Sequence, residues 1–330
     1  MRDSSIAALF GVFSSLLLLP VQADSSRPYI NDKKAPDSRH DLEVIQKHLS
    51  EALPASRRAT VCIDLGEGSG SGVVVSPDGL ILTAAHVTGG VGKEFTVIFE
   101  DGRKVKAESL GLVASCDCAM ARITEEGTWP FVEVDRDDTI QLGDWVYALG
   151  HSGGFDKERG VVVRLGRLVQ VKDETVQSDC SLIGGDSGGP LFDLNGKLIG
   201  IHSRVDRSLQ ENLHVPMRAF TKNWDGMLKG EFIGEGPFAK KPEKGKGFLG
   251  IGTEAREEGG LSIEKVGRES PAEKAGLKPG DILLKFDGVE LETKEQLQEL
   301  LKEKAPDDRV ALELLRKGKQ ETLTLRLGER

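Results

Sequence analysis

Between residues 60 and 205 the chain is a succession of short apolar runs, each cut off by tight-turn residues. Pro77-Asp78-Gly79 separates 72–76 from 80–83, Asp101-Gly102 separates 95–99 from 105–110, and Asn195-Gly196 separates 191–192 from 198–201. Runs of that length joined by such turns read as strands in hairpins. Many short strands must hide their edges from other chains, which restricts this stretch to a sandwich or a barrel.

The flanks read differently. Arg2 precedes a charge-free apolar run over 6–21, and Val21-Gln22-Ala23 offers small residues for cleavage before Asp24. That is the layout of a secretory signal peptide over 1–23. The run is shorter than the roughly 20 residues that span a bilayer. The expected location is therefore outside the cytoplasm, periplasmic or extracellular, with a membrane-anchored form if the signal stays uncleaved. The N-terminal segment 24–59 carries a helical pattern over about 41–52, where Leu42, Ile45 and Leu49 recur at helical spacing. A second helix is expected over about 217–228. Glycines, prolines and Lys240, Lys241, Lys244 and Lys246 mark 233–246 as a solvated linker. Beyond it, 247–330 mixes strands (282–286, 310–315) with helices (272–275, 293–304).

A chain of 330 residues suits two such units. The net charge of -9 argues against nucleic acid, which needs a concentrated cationic surface. The four cysteines, Cys62, Cys116, Cys118 and Cys180, are too few for a disulfide scaffold. Cys116-Asp117-Cys118 is a poor metal motif, because strand alternation points both thiols away from Asp117. The cysteines read as small buried hydrophobes.

Three segments carry chemistry. Leu82-Thr83-Ala84-Ala85-His86-Val87 ends a strand with a histidine, and Cys116-Asp117-Cys118 places an acid at the head of an apolar strand. Gly184-Gly185-Asp186-Ser187-Gly188-Gly189-Pro190 sets a serine in a glycine-rich turn. A serine hydroxyl becomes a nucleophile when an imidazole accepts its proton and a carboxylate orients that imidazole. Glycines let the turn aim the amides of Gly185 and Ser187 at one point, where an oxyanion would sit. Each segment alone is more often structural, but their order, His then Asp then Ser, singles out His86, Asp117 and Ser187 as a catalytic triad. Gly66-Glu67-Gly68-Ser69-Gly70-Ser71-Gly72 is no phosphate loop, since it precedes a strand and lacks a following Lys-Ser/Thr.

With these motifs, residues 60–232 resemble the trypsin-like serine proteases, and more closely the HtrA/Deg branch. The likeness rests on Gly70-Ser71-Gly72-Val73-Val74, Ser76-Pro77-Asp78-Gly79, the His86 segment, Gln177-Ser178-Asp179, Gly188-Gly189-Pro190-Leu191 and Asn195-Gly196-Lys197-Leu198-Ile199-Gly200-Ile201. It implies a mainly β fold with two perpendicular six-stranded barrels and the triad between them. It also implies that Ser203 supports the triad aspartate, and that Ser181, Leu182, His202 and Val205 shape the specificity pocket. The chain departs from the branch at Ile183-Gly184-Gly185-Asp186, where Asn-Pro-Gly-Asn is usual, and in the short stretch from Ser203 to Val215. No activation site precedes the first strand, so the zymogen role of the matching aspartate is not carried to Asp186. Gly200-Ile201-His202 resembles the glutamyl endopeptidases, where the histidine binds an acidic P1 side chain. The other reading of His202 is a residue packed under the pocket. Ser181 stands where cleavage after Lys or Arg needs an acid. His151, in a glycine-rich loop, is the other histidine of interest.

Residues 247–330 resemble a small α+β PDZ domain, with Phe248, Leu249, Gly250 and Ile251 as the carboxylate-binding loop and Ser270–Asp281 as the segment typical of bacterial protease PDZ domains. An extended peptide would add a strand to the sheet edge beside the helix over 293–304. Together the likenesses imply a cofactor-free, metal-free serine endopeptidase for unfolded or damaged exported proteins, binding C-terminal peptides at the PDZ groove and assembling as a homotrimer. The alternative is a catalytically silent PDZ-bearing adaptor or chaperone-like binding protein.

Overall fold

The computed structural model describes residues 27–205 and 211–329. The expected signal peptide at 1–23 lies outside them. Among the described residues no helix is long and apolar enough to cross a membrane.

Helix α1 spans Arg39–Ala59. Ser38 and Asp41 start it with a capping box, each side chain taking the other's backbone N–H at 3.2 Å. It runs past the expected end near 52 despite Pro54, because its last turns dock on the body of the protein. Ser56 Oγ meets Tyr147 Oη at 2.7 Å in a buried contact, and Arg57 pairs with Glu100. Ile45 faces inward at 5% exposure, whereas Leu42 is 58% exposed and does not belong to the packed stripe.

The first barrel comprises β1 (Thr60–Asp64), β2 (Ser69–Val74) and β3 (Leu80–Ala84), the single-turn α2 (Ala85–Thr88), then β4 (Glu94–Ile98), β5 (Lys104–Val113) and β6 (Cys118–Ile123). The strands pair in the order β5-β4-β1-β2-β3-β6, and β5 pairs with β6 to close the ring. The second closed barrel comprises β7 (Trp145–Gly150), β8 (Val162–Val171), β9 (Val176–Ser178), β10 (Pro190–Asp193), β11 (Leu198–Val205) and β12 (Asn212–Pro216), in the order β10-β11-β12-β9-β8-β7. Turn glycines at positive φ, such as Gly79 (+83°) and Gly196 (+83°), make the expected reversals. A shared core joins the barrels, with Leu82 and Met120 of the first meeting Leu149, Phe192 and Ile201 of the second.

Helices α3 (Met217–Lys222) and α4 (Trp224–Leu228) follow, then β13 (Phe232–Ile233). β13 adds to β5 in parallel, Phe232 opposite Leu112 and Ile233 opposite Val113. The front of the segment expected to be a free linker is thus bound to the first barrel. Its apolar residues explain this: Phe232, Phe238 and Ala239 cluster with Leu112, Ala114 and Ala119.

The C-terminal domain contains β14 (Gly247–Phe248), β15 (Ile251–Ala255), β16 (Leu261–Val266), α5 (Pro271–Lys274), β17 (Ile282–Phe286), β18 (Val289–Glu290), α6 (Lys294–Lys302), β19 (Arg309–Arg316), β20 (Lys319–Arg326) and β21 (Gly328–Glu329). Its main sheet runs β15-β16-β17-β19-β20, which leaves β15 at an edge. It has its own core, built on Leu261, Ile263, Leu283, Phe286, Leu312 and Leu314. Lys93–Asp307 at 2.7 Å and a Glu108–Arg326 ion pair connect it to the first barrel.

Candidate active site

His86 sits in α2, directly after β3, and Asp117 stands one residue before β6. Because β3 and β6 are antiparallel neighbours with Ala84 opposite Cys118, the histidine and the acid meet at the same barrel end. His86 Nδ1 lies 2.9 and 3.0 Å from the two carboxylate oxygens of Asp117, and the His86 amide donates to Oδ1 at 3.0 Å. Ser203 Oγ donates to Oδ2 at 2.5 Å. Asp117 is fully buried, so these donors stand in for water. A carboxylate only accepts, so Nδ1 carries the proton and Nε2 is left as a base.

Ser187 lines the same cleft as His86. Its Oγ is turned toward Ser203 O at 3.4 Å. Nucleophile–base hydrogen bonds are commonly loose or unformed before substrate binds. The loop in front of the serine is held from several sides. Gly185 has φ +92°, and a Cβ there would lie 2.5 Å from His151 O and 2.6 Å from Gly153 N. Among the described residues, neither the Gly185 nor the Ser187 amide donates to a backbone partner.

Several supports were not legible in the sequence. Ser71 of β2 donates through Oγ to Gly185 O at 2.8 Å and through its amide to Ser187 O at 2.7 Å. Thr83 Oγ1 donates to Ser71 O at 2.8 Å. Asp186 is buried and accepts from Ser152 Oγ at 2.6 Å and the Ile183 amide at 2.9 Å, with Arg164 paired to it at 2.9 Å. Arg164 is thus the cation paired with the buried Asp186 beside the nucleophile.

The cleft continues into a cavity of about 520 Å³ lined by Leu182, Ile183, His202, Val205 and Phe238, among others. Leu182 is drawn inward by its amide's bond to Asn212 Oδ1 at 2.7 Å. The preceding Ser181 is exposed and is not among the residues lining this cavity, whereas Leu182 is. Phe238, supplied by the segment after β13, was not expected there.

His202 is fully buried, and its ring is accounted for at both nitrogens. Leu149 O can only accept, so His202 Nε2 donates to it at 3.1 Å. His202 Nδ1 then accepts from His214 Nδ1 at 2.9 Å, and His214 Nε2 accepts from Ser178 Oγ at 2.7 Å. Burial pushes His202 down to about 3 and His214 well below the ordinary histidine range. The pair is neutral, and His202 keeps no ring N–H for an acidic P1 side chain. His151 is buried too, and burial pushes it down to about 4. Among the described residues no group of three or more His, Cys, Asp or Glu side chains converges as metal ligands.

In the C-terminal domain Gly250 turns at φ +84°, and a Cβ there would lie 2.3 Å from Ser270 Cβ. The loop of Phe248, Leu249, Gly250 and Ile251 thus leads into edge strand β15, with α6 beside it. That is the geometry strand addition requires.

Comparison with known proteins agrees with this anatomy. A trypsin-like peptidase domain matches residues 70–201, and a PDZ domain matches residues 247–327. The putative serine protease HhoB of Synechocystis sp. is 31% identical over 284 residues, covering 79% of this chain and 67% of that protein. The probable periplasmic serine endoprotease DegP-like of Rickettsia prowazekii is 26% identical over 330 residues, covering 92% of this chain and 63% of its own length. Its counterpart in Marinomonas sp. is 29% identical over 298 residues, with 88% and 63% covered. The chain thus spans about two thirds of the length of these relatives. Among solved structures, the HtrA-type protease AlgW with decapeptide has a TM-score of 0.48 at 22% identity, covering 85% of this chain and 98% of that one. The serine endoprotease from Yersinia pestis has a TM-score of 0.48 at 24% identity, covering 90% and 99%.

Proposed function

Because the chain belongs to the HtrA/Deg-type trypsin-like serine proteases carrying a PDZ domain, we propose that it is a serine endopeptidase acting on unfolded or damaged exported proteins. The observation that carries this reading is the His86–Asp117 pair, 2.9 Å apart at its shorter contact, opening onto the cleft that holds Ser187. Ser187 Oγ attacks the scissile carbonyl as His86 Nε2 takes its proton. Asp117 holds the imidazole's tautomer and stabilises its cation, with Ser203 holding Asp117. The amides of Gly185 and Ser187 receive the oxyanion, and His86 returns the proton to the leaving amine.

The walls of Leu182, Val205 and Phe238 favour apolar P1 side chains, with His202 serving as a packed, neutral floor. The PDZ groove between β15 and α6 takes C-terminal peptides, delivering substrate or regulating activity. The reading extends to the periplasm, where several relatives are named to act, and to a homotrimer, which light scattering tests. Casein hydrolysis by the wild type and its loss in Ser187→Ala is the expected result. The turn of Ser187 Oγ toward Ser203 O favours the second reading, a silent adaptor. Absence of hydrolysis in both proteins would select it.

A further inference from the structure

Two thiols bracket the triad acid. Cys116 Sγ and Cys118 Sγ stand 2.9 Å apart, about 0.9 Å beyond the covalent S–S length of about 2.03–2.05 Å. Both are free thiols. Residues two apart in a strand are separated by about 6.6 Å, near the outer Cα limit of about 6.8 Å for a disulfide. Here the intervening Asp117 has φ 64°, in the left-handed region. That curl draws its neighbours together on one side of the backbone. On the other side its carboxylate faces His86 and Ser203.

The two sulfurs are unequal. Cys118 is fully buried, and burial raises its thiol well above the ordinary range. Cys116 is half-buried, and its hydrogen bond with Cys118 lowers it. Cys116 is therefore the thiol that an outside reagent reaches as a thiolate, and Cys118 is its resolving partner.

We propose that Cys116 and Cys118 form a reversible dithiol–disulfide couple, oxidised by a disulfide-bearing oxidant, whose closed form holds the triad acid in place. Cys116 thiolate attacks one sulfur of the oxidant's disulfide, forming a mixed disulfide and expelling one thiolate. Cys118 thiolate then attacks Cys116 Sγ, forming the internal bond and expelling the second. The two protein thiols lose two electrons, the oxidant gains them, and the two protons end on its released thiols. A left-handed, non-glycine residue is costly to maintain. The bridge adds a covalent restraint to that conformation, which the dithiol form holds only through the hydrogen bonds from His86 and Ser203. The positioning role rests on the triad reading above.

The test uses the full chain equilibrated with oxidised or reduced glutathione, quenched in acid, alkylated and mapped by mass spectrometry. After oxidation, the peptide carrying Cys116 and Cys118 should lose two hydrogens and take no label, while Cys62 and Cys180 remain labelled. The dithiol form should show kcat roughly tenfold lower with KM little changed, below the ~10²-fold that a 1 Å misplacement can cost. Cys116→Ser and Cys118→Ser should each lose the redox dependence. A downfield imidazole N–H resonance from the His86–Asp117 bond, sharper in the bridged form, reads the same hold without turnover. It separates this proposal from the triad reading, which fails by itself if neither form reacts with a fluorophosphonate at Ser187. Free labelling of both thiols after oxidation overturns the couple. Equal kcat and equal imidazole spectra in the two forms overturn the positioning role.

Discussion

Ser71 Oγ donates to the carbonyl of Gly185 at 2.8 Å, tying a strand of the first barrel to the nucleophile loop of the second. The same hydroxyl accepts the His151 amide at 2.9 Å, so three segments converge on one atom. Ser71→Ala removes the hydroxyl and leaves Gly185 O and His151 N without these partners. An unmade buried hydrogen bond costs about 1–3 kcal/mol. Loop drift should therefore lower kcat roughly 10-fold or more with a small change in KM, if the proposed amides of Gly185 and Ser187 serve the oxyanion rather than the ground state. Peptide kinetics alongside a thermal melt check this; an unchanged kcat would mean that the loop holds without Ser71.

Gly185 makes a stricter demand. At φ +92° an L side chain is strained, and its Cβ would meet His151 O at 2.5 Å. Gly185→Ala must move the loop and carry its amide off target. Losing one oxyanion donor costs ~10²–10³ in kcat. The expected outcome is a loss of that order with retained circular dichroism and retained peptide binding at the PDZ domain.

The parts legible in the sequence are those whose signal is local. His86 and Asp117 each sit in a short motif and do meet, at 2.9 Å, and turns such as Asn195-Gly196 declare their own geometry. The parts that were hidden depend on distant pairing. Ser71 lies in a quoted motif, yet its partner is 114 residues away. His202 was ambiguous because the second histidine that occupies its Nδ1 arrives from β12. Ser181 and Leu182 are adjacent, and which one lines the cavity follows from the path of the backbone, which holds the Leu182 amide to Asn212 across the barrel. The stretch 233–246 read as linker from its glycines and lysines, because composition averages away Phe238.

Phe238 makes that last difference testable. It lines the same cavity as Ser187 and lies under Arg204, whose guanidinium carbon is 5.1 Å from the ring centroid. Its side chain removes apolar surface from water at the pocket wall. Phe238→Ala should raise KM for peptides with leucine or valine at P1, by roughly 10-fold for a loss of about 1.4 kcal/mol. Peptides with alanine at P1 should change less, since they reach the wall less fully. A P1-scanning library run on both proteins reads the difference. Equal shifts for leucine and alanine would place Phe238 outside the pocket's function.

The buried histidines predict acid lability. In the unfolded chain histidine titrates near 6.5, whereas burial pushes His151 down to about 4 and His202 down to about 3. Between those limits the unfolded state binds more protons than the folded one. Stability is therefore full above pH 6.5 and falls as pH drops toward 4 and then 3. From pH 6.5 to 4.5 each histidine contributes a loss of roughly 2–3 kcal/mol, at about 1.4 kcal/mol per pH unit. Asp193 acts in the opposite direction, since burial pushes it up to about 6 and its folded form holds a proton that the unfolded carboxylate releases above 3.8. One carboxyl offsets about one histidine, so His202 together with His214, which burial lowers as well, keeps the net slope positive. Melting temperature should fall between pH 7 and pH 5, at roughly 2–4 °C per kcal/mol for a domain of this size. His151→Phe replaces one imidazole with an apolar ring beside Phe155 and should flatten the slope. A melting temperature that rises on acidification would contradict the neutral assignment of the buried pair.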